Sequence, residues 1–393
     1  MKLNKLFCVC VLVLAAMAVV LFLACFSNAQ AVSSGLFAYI TNYNDDTVSV
    51  IDTSTNTVTT TIAVGRNPFA VATSSLNKVY VSNAGSASVS VIDATTNSVT
   101  NTIPLDTGIP PIDLPNQSGI AVSPNGSRIY AGYRRTGTTS LAIIDATTNA
   151  VIDKVDVGGW PYGVVVNPTG TRVYVVNRYF AADLSYGTVV VLNTANNAVL
   201  ANIPVGNDPL GIAINPSGTR VYAVGDAQYV SVIDTASNTV TNTFGVGIAP
   251  WGIAVNPADT RLYVVNRRAS LSTCCNGNDS VIDTATYNLI TNVEVEANRV
   301  GISVTPDNSR IYVANSSGGF LFNGNVSVID AASNTVSDRI LVGNGPFAFG
   351  QFLLSLRTIP TSRDQCMNDG WRSFSNPTFK NQGDCVSFVS AGK

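Results

Sequence analysis

Val79-Tyr80-Val81-Ser82-Asn83, Val173-Tyr174-Val175-Val176-Asn177 and Ile311-Tyr312-Val313-Ala314-Asn315 are three copies of one short pattern, and its repetition decides the fold. The tyrosine of the pattern recurs at Tyr39, Tyr80, Tyr130, Tyr174, Tyr222, Tyr263 and Tyr312, at intervals of 41, 50, 44, 48, 41 and 49 residues. A period of forty-odd residues built only from strand-forming stretches is the signature of four-stranded blades arranged radially.

Blade 6 shows the unit. Pro250-Trp251-Gly252-Ile253-Ala254-Val255 reads as the innermost strand A, and Asn256-Pro257-Ala258-Asp259 as a turn. Arg261 to Asn266 is strand B, Ser280-Val281-Ile282-Asp283 ends strand C, and strand D runs from Leu289 to Val295. Strands B and C are nearly continuous apolar runs, as in Val189-Val190-Val191-Leu192, which suits strands buried on both faces. Strand D alternates, with Val58 and Ile62 expected on one side and Thr57, Thr59 and Thr61 on the other, as befits an outer edge. The array opens near Ala38 on a strand B and stops after Pro346-Phe347-Ala348-Phe349-Gly350, a strand A. The strands A start near Phe69, Gly119, Gly163, Gly211, Gly252, Gly301 and Phe347. The expected fold is therefore all-β: a seven-bladed β-propeller of four-stranded antiparallel blades over residues 36–353, whose C-terminal strand A completes the first blade.

With these residues and Val-Ser-Val-Ile-Asp at 48–52 and 326–330, the chain resembles the YVTN-repeat, or YncE-like, propeller family. Blades 3 and 5 depart from the pattern, with Ala131 and Ala223 after the tyrosine and Tyr133 and Asp226 beyond Gly132 and Gly225. The resemblance implies an exported surface, binding or scaffold protein and names no single chemistry.

The chain has 393 residues, 46% apolar and 12% charged, and no histidine, which excludes imidazole bases, His metal ligands and an axial haem histidine. Glutamate occurs only at Glu294 and Glu296. No cofactor motif is present, and a metal role for the cysteines lacks further ligands nearby. Without residues 1–31 the chain has 20 basic and 24 acidic groups, a balance unsuited to nucleic-acid phosphate.

Residues 1–31 read as a secretory signal: Lys2 and Lys5, an uncharged apolar run Leu6–Phe26, and small-x-small sites at Ser27-Asn28-Ala29 and Ala29-Gln30-Ala31. The run is also long enough to remain as an anchor, and Phe22-Leu23-Ala24-Cys25 loosely resembles a lipobox. All three readings place the rest of the chain outside the membrane, in the cell envelope or beyond.

The aspartates closing strand C (Asp52, Asp93, Asp145, Asp234, Asp283 and Asp330, with Asn193 in blade 4) are expected to cap turns rather than form an acidic ring. Arg128, Arg172, Arg220, Arg261 and Arg310, beside the A–B turns, are expected to pair with neighbouring blades or face water. Insertions fall after strand B in blades 3, 4, 6 and 7 and between D and A at 106–118. B–C and D–A connections emerge on one face, so this face is the expected binding surface. Arg134 and Arg135, Arg178 and Tyr179, and Arg267 and Arg268 open three B–C loops, and Arg66 and Arg299 lie in D–A loops. Phe69, Trp160, Tyr162, Trp251 and Phe347 ring the channel mouth. Arginine with aromatics suits an anionic or sugar-like ligand, or a protein partner. The competing structural role is packing loops onto the rim and pairing with Asp183, Asp208 or Asp279. The expected function is non-enzymatic binding, adhesion or scaffolding; the alternative is a histidine-independent, lactonase- or lyase-like enzyme at the channel mouth.

Cys274 and Cys275 sit in the blade 6 insertion, as a vicinal disulfide or bridged to the tail. Residues 354–393 form a separate segment, resembling a short C-terminal element of exported bacterial proteins, in which a Cys366–Cys385 bridge is expected to hold a small hairpin.

Overall fold

A computed structural model describes residues 35–105, 118–135, 138–178, 187–225, 228–268, 277–295, 299–316, 324–356, 363–367 and 380–390. Seven sheets follow one another in sequence as the blades of a closed propeller over Gly35–Arg357. Blade 1 takes strands B, C and D from Leu36–Asn42, Thr47–Asp52 and Thr57–Ala63. Blade 4 is Trp160–Val166, Arg172–Arg178, Gly187–Asn193 and Val199–Gly206, paired antiparallel throughout. The seven repeat tyrosines are each at most 2% exposed, packed between blades with the Val and Ile side chains of strands B and C. Each fully buried Val or Ile contributes roughly 1.5–3 kcal/mol, which makes the blade seams the main source of stability.

The ring closes as expected, with one refinement. Leu353–Ser355 pairs antiparallel with Leu36–Asn42 as strand A of blade 1, and Pro346 makes an isolated bridge to Asn42. Between these points Phe349–Gln351 leaves blade 1 and pairs in parallel with Ala70–Ala72, the strand A of blade 2. Gly350, at φ +98°, permits the excursion. One segment thus stitches two blades together.

The D strands carry a second refinement. In every blade the C–D pairing slips by one residue, and in blade 1 the slip lies between Val50 and Ile51. Thr59 sits in the bulge and donates its hydroxyl to the Val50 carbonyl at 3.2 Å. The bulge breaks the strict alternation: Ile62 is buried, whereas Val58 is 36% exposed rather than facing inward beside it.

The turn chemistry matches expectation. Asp145 Oδ1 accepts from the Thr147 and Thr148 amides at 2.9 and 2.8 Å, and Asp52, Asp234, Asp283 and Asp330 cap their turns in the same way. Backbone and hydroxyl donors of Thr148, Ser237, Thr286 and Ser333 hold the carboxyls of Asp145, Asp234, Asp283 and Asp330 below the usual range. Each turn then closes on a left-handed residue: Asn56, Asn97, Asn149, Asn197, Asn238 and Asn334, or Tyr287 in blade 6.

The five A–B arginines cross to the next blade. Arg128 donates to the Thr194 carbonyl at 2.7 Å, Arg220 to Thr284 at 3.2 Å and Arg310 to Thr53 at 2.7 Å, while Arg172 and Arg261 reach the Thr235 and Ala331 carbonyls. Lys78 of blade 2 instead pairs within its own blade, with Asp93 at 2.7 Å.

The tail forms a second compact unit. Its described residues include helices Arg363–Cys366 and Gln382–Ser390, joined by the Cys366–Cys385 disulfide, with both cysteines buried. The expected bridge is present, but it joins helices and not the two arms of a hairpin. Cys274 and Cys275 lie outside the described residues.

Candidate functional site

The antiparallel blades place all A–B and C–D turns at one end of the ring and all B–C and D–A connections at the other. The central channel between them holds a cavity of about 290 Å³. Its wall begins at Gly119, Gly163, Gly211, Gly252 and Gly301, where successive strands A come closest. A Cβ on Gly211 would overlap the Trp251 carbonyl, and one on Gly301 the Ala348 carbonyl, so only glycine fits. From there the wall runs along Ile and Val residues toward the A–B end, where Val122, Val166, Val255 and Val304 are more exposed than Ile120, Val164, Ile253 and Ile302. Among the described residues the wall has no acidic, basic or cysteine side chain; Thr73, Ser303 and Gln351 are its polar groups.

Above the glycine belt, toward the B–C and D–A end, the axis is filled. Phe69 (0% exposed), Tyr162, Leu210, Val300 and Phe349 come from separate blades and the closing segment and belong to one apolar cluster. Phe69 stacks on Phe349 at 5.6 Å and meets Tyr162 edge-on at 6.4 Å. Tyr43, Trp160, Trp251 and Phe347 pack around this plug, half-buried. The expected channel mouth is therefore an aromatic platform.

Three guanidinium groups lie on its rings. Arg134 stands 3.6 Å above Trp160, Arg267 4.4 Å above Trp251, and Arg178 5.8 Å from the centre of Tyr162. Arg178 is also gripped by Asp208 through two bonds, Nε at 2.9 Å and Nη2 at 3.0 Å. Burial opposes the charge of Arg178, but the Asp208 carboxylate outweighs it and holds the pKa above the usual value. Burial lowers the pKa of Arg134, and Tyr162 opposes that effect. Burial in turn raises the Tyr162 phenol.

These arginines are borne by strands and not by the loops expected to carry them. Strand B reaches Arg135 in blade 3, Arg178 in blade 4 and Arg268 in blade 6, and Arg299 opens strand A of blade 7. The extension follows from pairing: Arg134 faces Thr139, Arg135 faces Thr138, and Arg299 faces Asn315. Arg66 is exposed and donates to the Gly85 carbonyl at 2.9 Å, so it closes a neighbouring loop. Tyr179 lies outside the described residues, and Arg135, Arg268 and Arg299 are placed by backbone alone.

The asparagines ending strand B knit the same face. Asn83 donates to Ser88 and Ser90 at 3.1 and 3.0 Å, and Asn42 to Thr47 and Ser49 at 3.0 and 2.9 Å, while the Gly343 amide of blade 7 donates to Asn42. The pattern Val-Gly at the end of strand D leaves room for this: a Cβ on Gly65 or Gly343 would overlap Asn83 or Asn42. Among the described residues no group of three or more acidic or cysteine side chains is placed to hold a metal.

The fold and its arginine-and-aromatic face define a closed seven-bladed β-propeller. No family model matches the chain, and no curated protein matches it. Among solved structures it is similar to hydrazine synthase of Kuenenia stuttgartiensis, with TM-score 0.63 and 19% identity over 75% of this chain and 92% of that one. It is also similar to a functionally unknown protein from Desulfotomaculum acetoxidans DSM 771, with TM-score 0.63 and 13% identity over 80% of this chain and 99% of that one. At these identities the likeness is one of fold.

Proposed function

We propose that the protein is an exported, non-enzymatic propeller of the YVTN-repeat kind that binds an envelope partner through the face of its B–C and D–A connections. The observation that carries this reading is the set of three arginines stacked on the rings of one aromatic platform. Rigid strands hold these groups, as a recognition surface requires. Among the described residues the channel wall carries no acidic, basic, cysteine or tyrosine side chain, and this reading assigns it no acid–base role. The two ends of the propeller meet at the opposite face, where the Leu356 amide donates to the Gly35 carbonyl at 2.8 Å. Export is supported by the N-terminal apolar run and by the Cys366–Cys385 bridge, which suits an oxidising compartment.

The test is an envelope pull-down with the mature chain, using the wild type and a variant with Arg178, Arg267 and Arg268 all changed to Gln. Capture is expected from the wild type and lost in the variant at unchanged folding. Undiminished capture by the variant would remove this face from the reading.

A further inference from the structure

Among the described residues, strand A of each of blades 3–7 is the end strand of its sheet, hydrogen-bonded to strand B on one side only. Its other edge lines the channel. The turns show which backbone groups point there. The amides of Ser123, Asn167, Asn215, Asn256 and Thr305 donate to the strand B carbonyls of Arg128, Arg172, Arg220, Arg261 and Arg310 at 2.9–3.0 Å. Successive residues of a strand turn these groups to opposite edges. Ile120, Val164, Ile212, Ile253 and Ile302, three residues earlier, therefore aim amide and carbonyl at the axis, as do Val122, Val166, Ile214, Val255 and Val304. The chain itself shows what such an edge accepts. In blade 2 it is taken by Phe349–Gln351, an extended segment with Gly350 opposite Val71.

We infer that the channel is a second binding site, separate from the arginine face, and that it takes the C-terminal end of an extended peptide from another protein. Alternating backbone donors and acceptors match a second backbone, whereas an acyl chain would leave them unpaired. Strands A run from the aromatic plug toward the A–B end, and amide precedes carbonyl in each residue. The amides of Ile120, Val164, Ile212, Ile253 and Ile302 are thus the channel-facing groups nearest the glycine belt, above which Phe69, Tyr162, Leu210 and Val300 fill the axis. Amides converging on a closed end suit a carboxylate. A peptide entering carboxylate-first from the A–B end runs antiparallel to strands A, as pairing with them allows. From Ile120 to Ser123 an edge extends about 10 Å, the length of three residues. The described wall is uncharged, so the inserted side chains are small and uncharged too.

The experiment is fluorescence anisotropy of the mature chain with the peptide Gly-Ser-Gly-Ala-Val-Ala, labelled at its N-terminus, as free acid and as C-terminal amide, with octanoate as competitor. The free acid is expected to bind about tenfold or more tighter than the amide, and octanoate is expected not to displace it. The double variant Val255→Pro, Val304→Pro removes two channel amides without touching the ladder to strand B, and should weaken binding by a similar factor. Val255→Ala, Val304→Ala trims the same side chains, keeps the amides and should bind as the wild type does. If the proline variant unfolds, hydrogen exchange of the wild type decides: the peptide should slow exchange in segments 120–122 and 302–304. Equal binding of acid and amide overturns the carboxylate end, and displacement by octanoate overturns the peptide. Unweakened binding by the proline variant, or unchanged exchange, overturns the edge pairing. Binding of neither peptide overturns the inference as a whole, while the pull-down above judges the arginine face independently.

Discussion

Arg310 Nη1 donates to the backbone carbonyl of Thr53 at 2.7 Å, a bond between residues 257 apart in sequence that fastens blade 7 to blade 1. The same latch recurs between blades 3 and 4, 4 and 5, 5 and 6, and 6 and 7. The seam between blades 1 and 2 has Phe37 at the corresponding position and is held by other means. There Tyr39 donates to Asn97 at 3.0 Å, and Phe349–Gln351 pairs across.

Replacing Arg310 by Met should cost about 1–3 kcal/mol in urea unfolding, because the part-buried Thr53 carbonyl loses its charged donor. Lys78→Met removes an ion pair within one blade whose side chains are 32% and 25% exposed, and should cost ~0.2–1 kcal/mol. Equal effects of the two changes would show that the cross-blade bond has no special weight.

The glycine belt gives a second contrast. Gly301→Ala places a methyl group against the Ala348 carbonyl of the closing segment, and relief requires a backbone shift. A loss of roughly 1–3 kcal/mol is expected, in line with overpacking elsewhere. Gly245→Ala, with nothing within 4 Å of the new carbon, should change the unfolding midpoint little. A neutral Gly301→Ala would mean that the strands A are not pinned at the belt.

The blade count was legible because a buried tyrosine every forty-odd residues admits few substitutes, as Tyr39 through Tyr312 show. The caps were legible too, since an aspartate after Val-Ile at a strand end has little other use. What the arginines do was not legible in full. Arg310 in one dimension reads equally as a surface charge or a cross-blade donor, and only the ring brings Thr53 to it. The asparagine ending the C–D turn in six of the seven blades carries a usable signal: a left-handed backbone is required there, and Asn56 and Asn97 also accept from Tyr312 and Tyr39. The Thr59 bulge and the excursion at Gly350 depend on pairing partners, so alternation alone could not locate them. At the platform, sequence supplied the residue types, whereas stacking such as Arg134 on Trp160 joins different blades.

Truncation tests the closure. A chain ending after Arg357 keeps Leu353–Ser355 and should fold with the midpoint of the full-length propeller. One ending after Gly345 loses both the blade 1 strand A and the stitch into blade 2, exposing strand edges. It should be largely insoluble, or should bind a hydrophobic dye during gel filtration. A soluble, compact product from the shorter chain would show that the ring holds without its clasp.

Alkaline pH should open the same seams. Burial pushes the Tyr80 phenol up to about 12 and raises those of Tyr39, Tyr130, Tyr222, Tyr263 and Tyr312. These groups keep their protons in the folded ring at a pH where the unfolded chain releases them near 10. The unfolded state then binds fewer protons, so stability falls as pH rises. The contribution is fully present below pH 10 and is lost through the window up to about 12 for Tyr80, at about 1.4 kcal/mol for each unit of separation. Thermal midpoints measured across this range should drop steeply, and phenolate absorbance should rise together with loss of strand circular dichroism. Phenolate appearing in full while the strand signal persists would place these hydroxyls in contact with solvent and remove them from the seams.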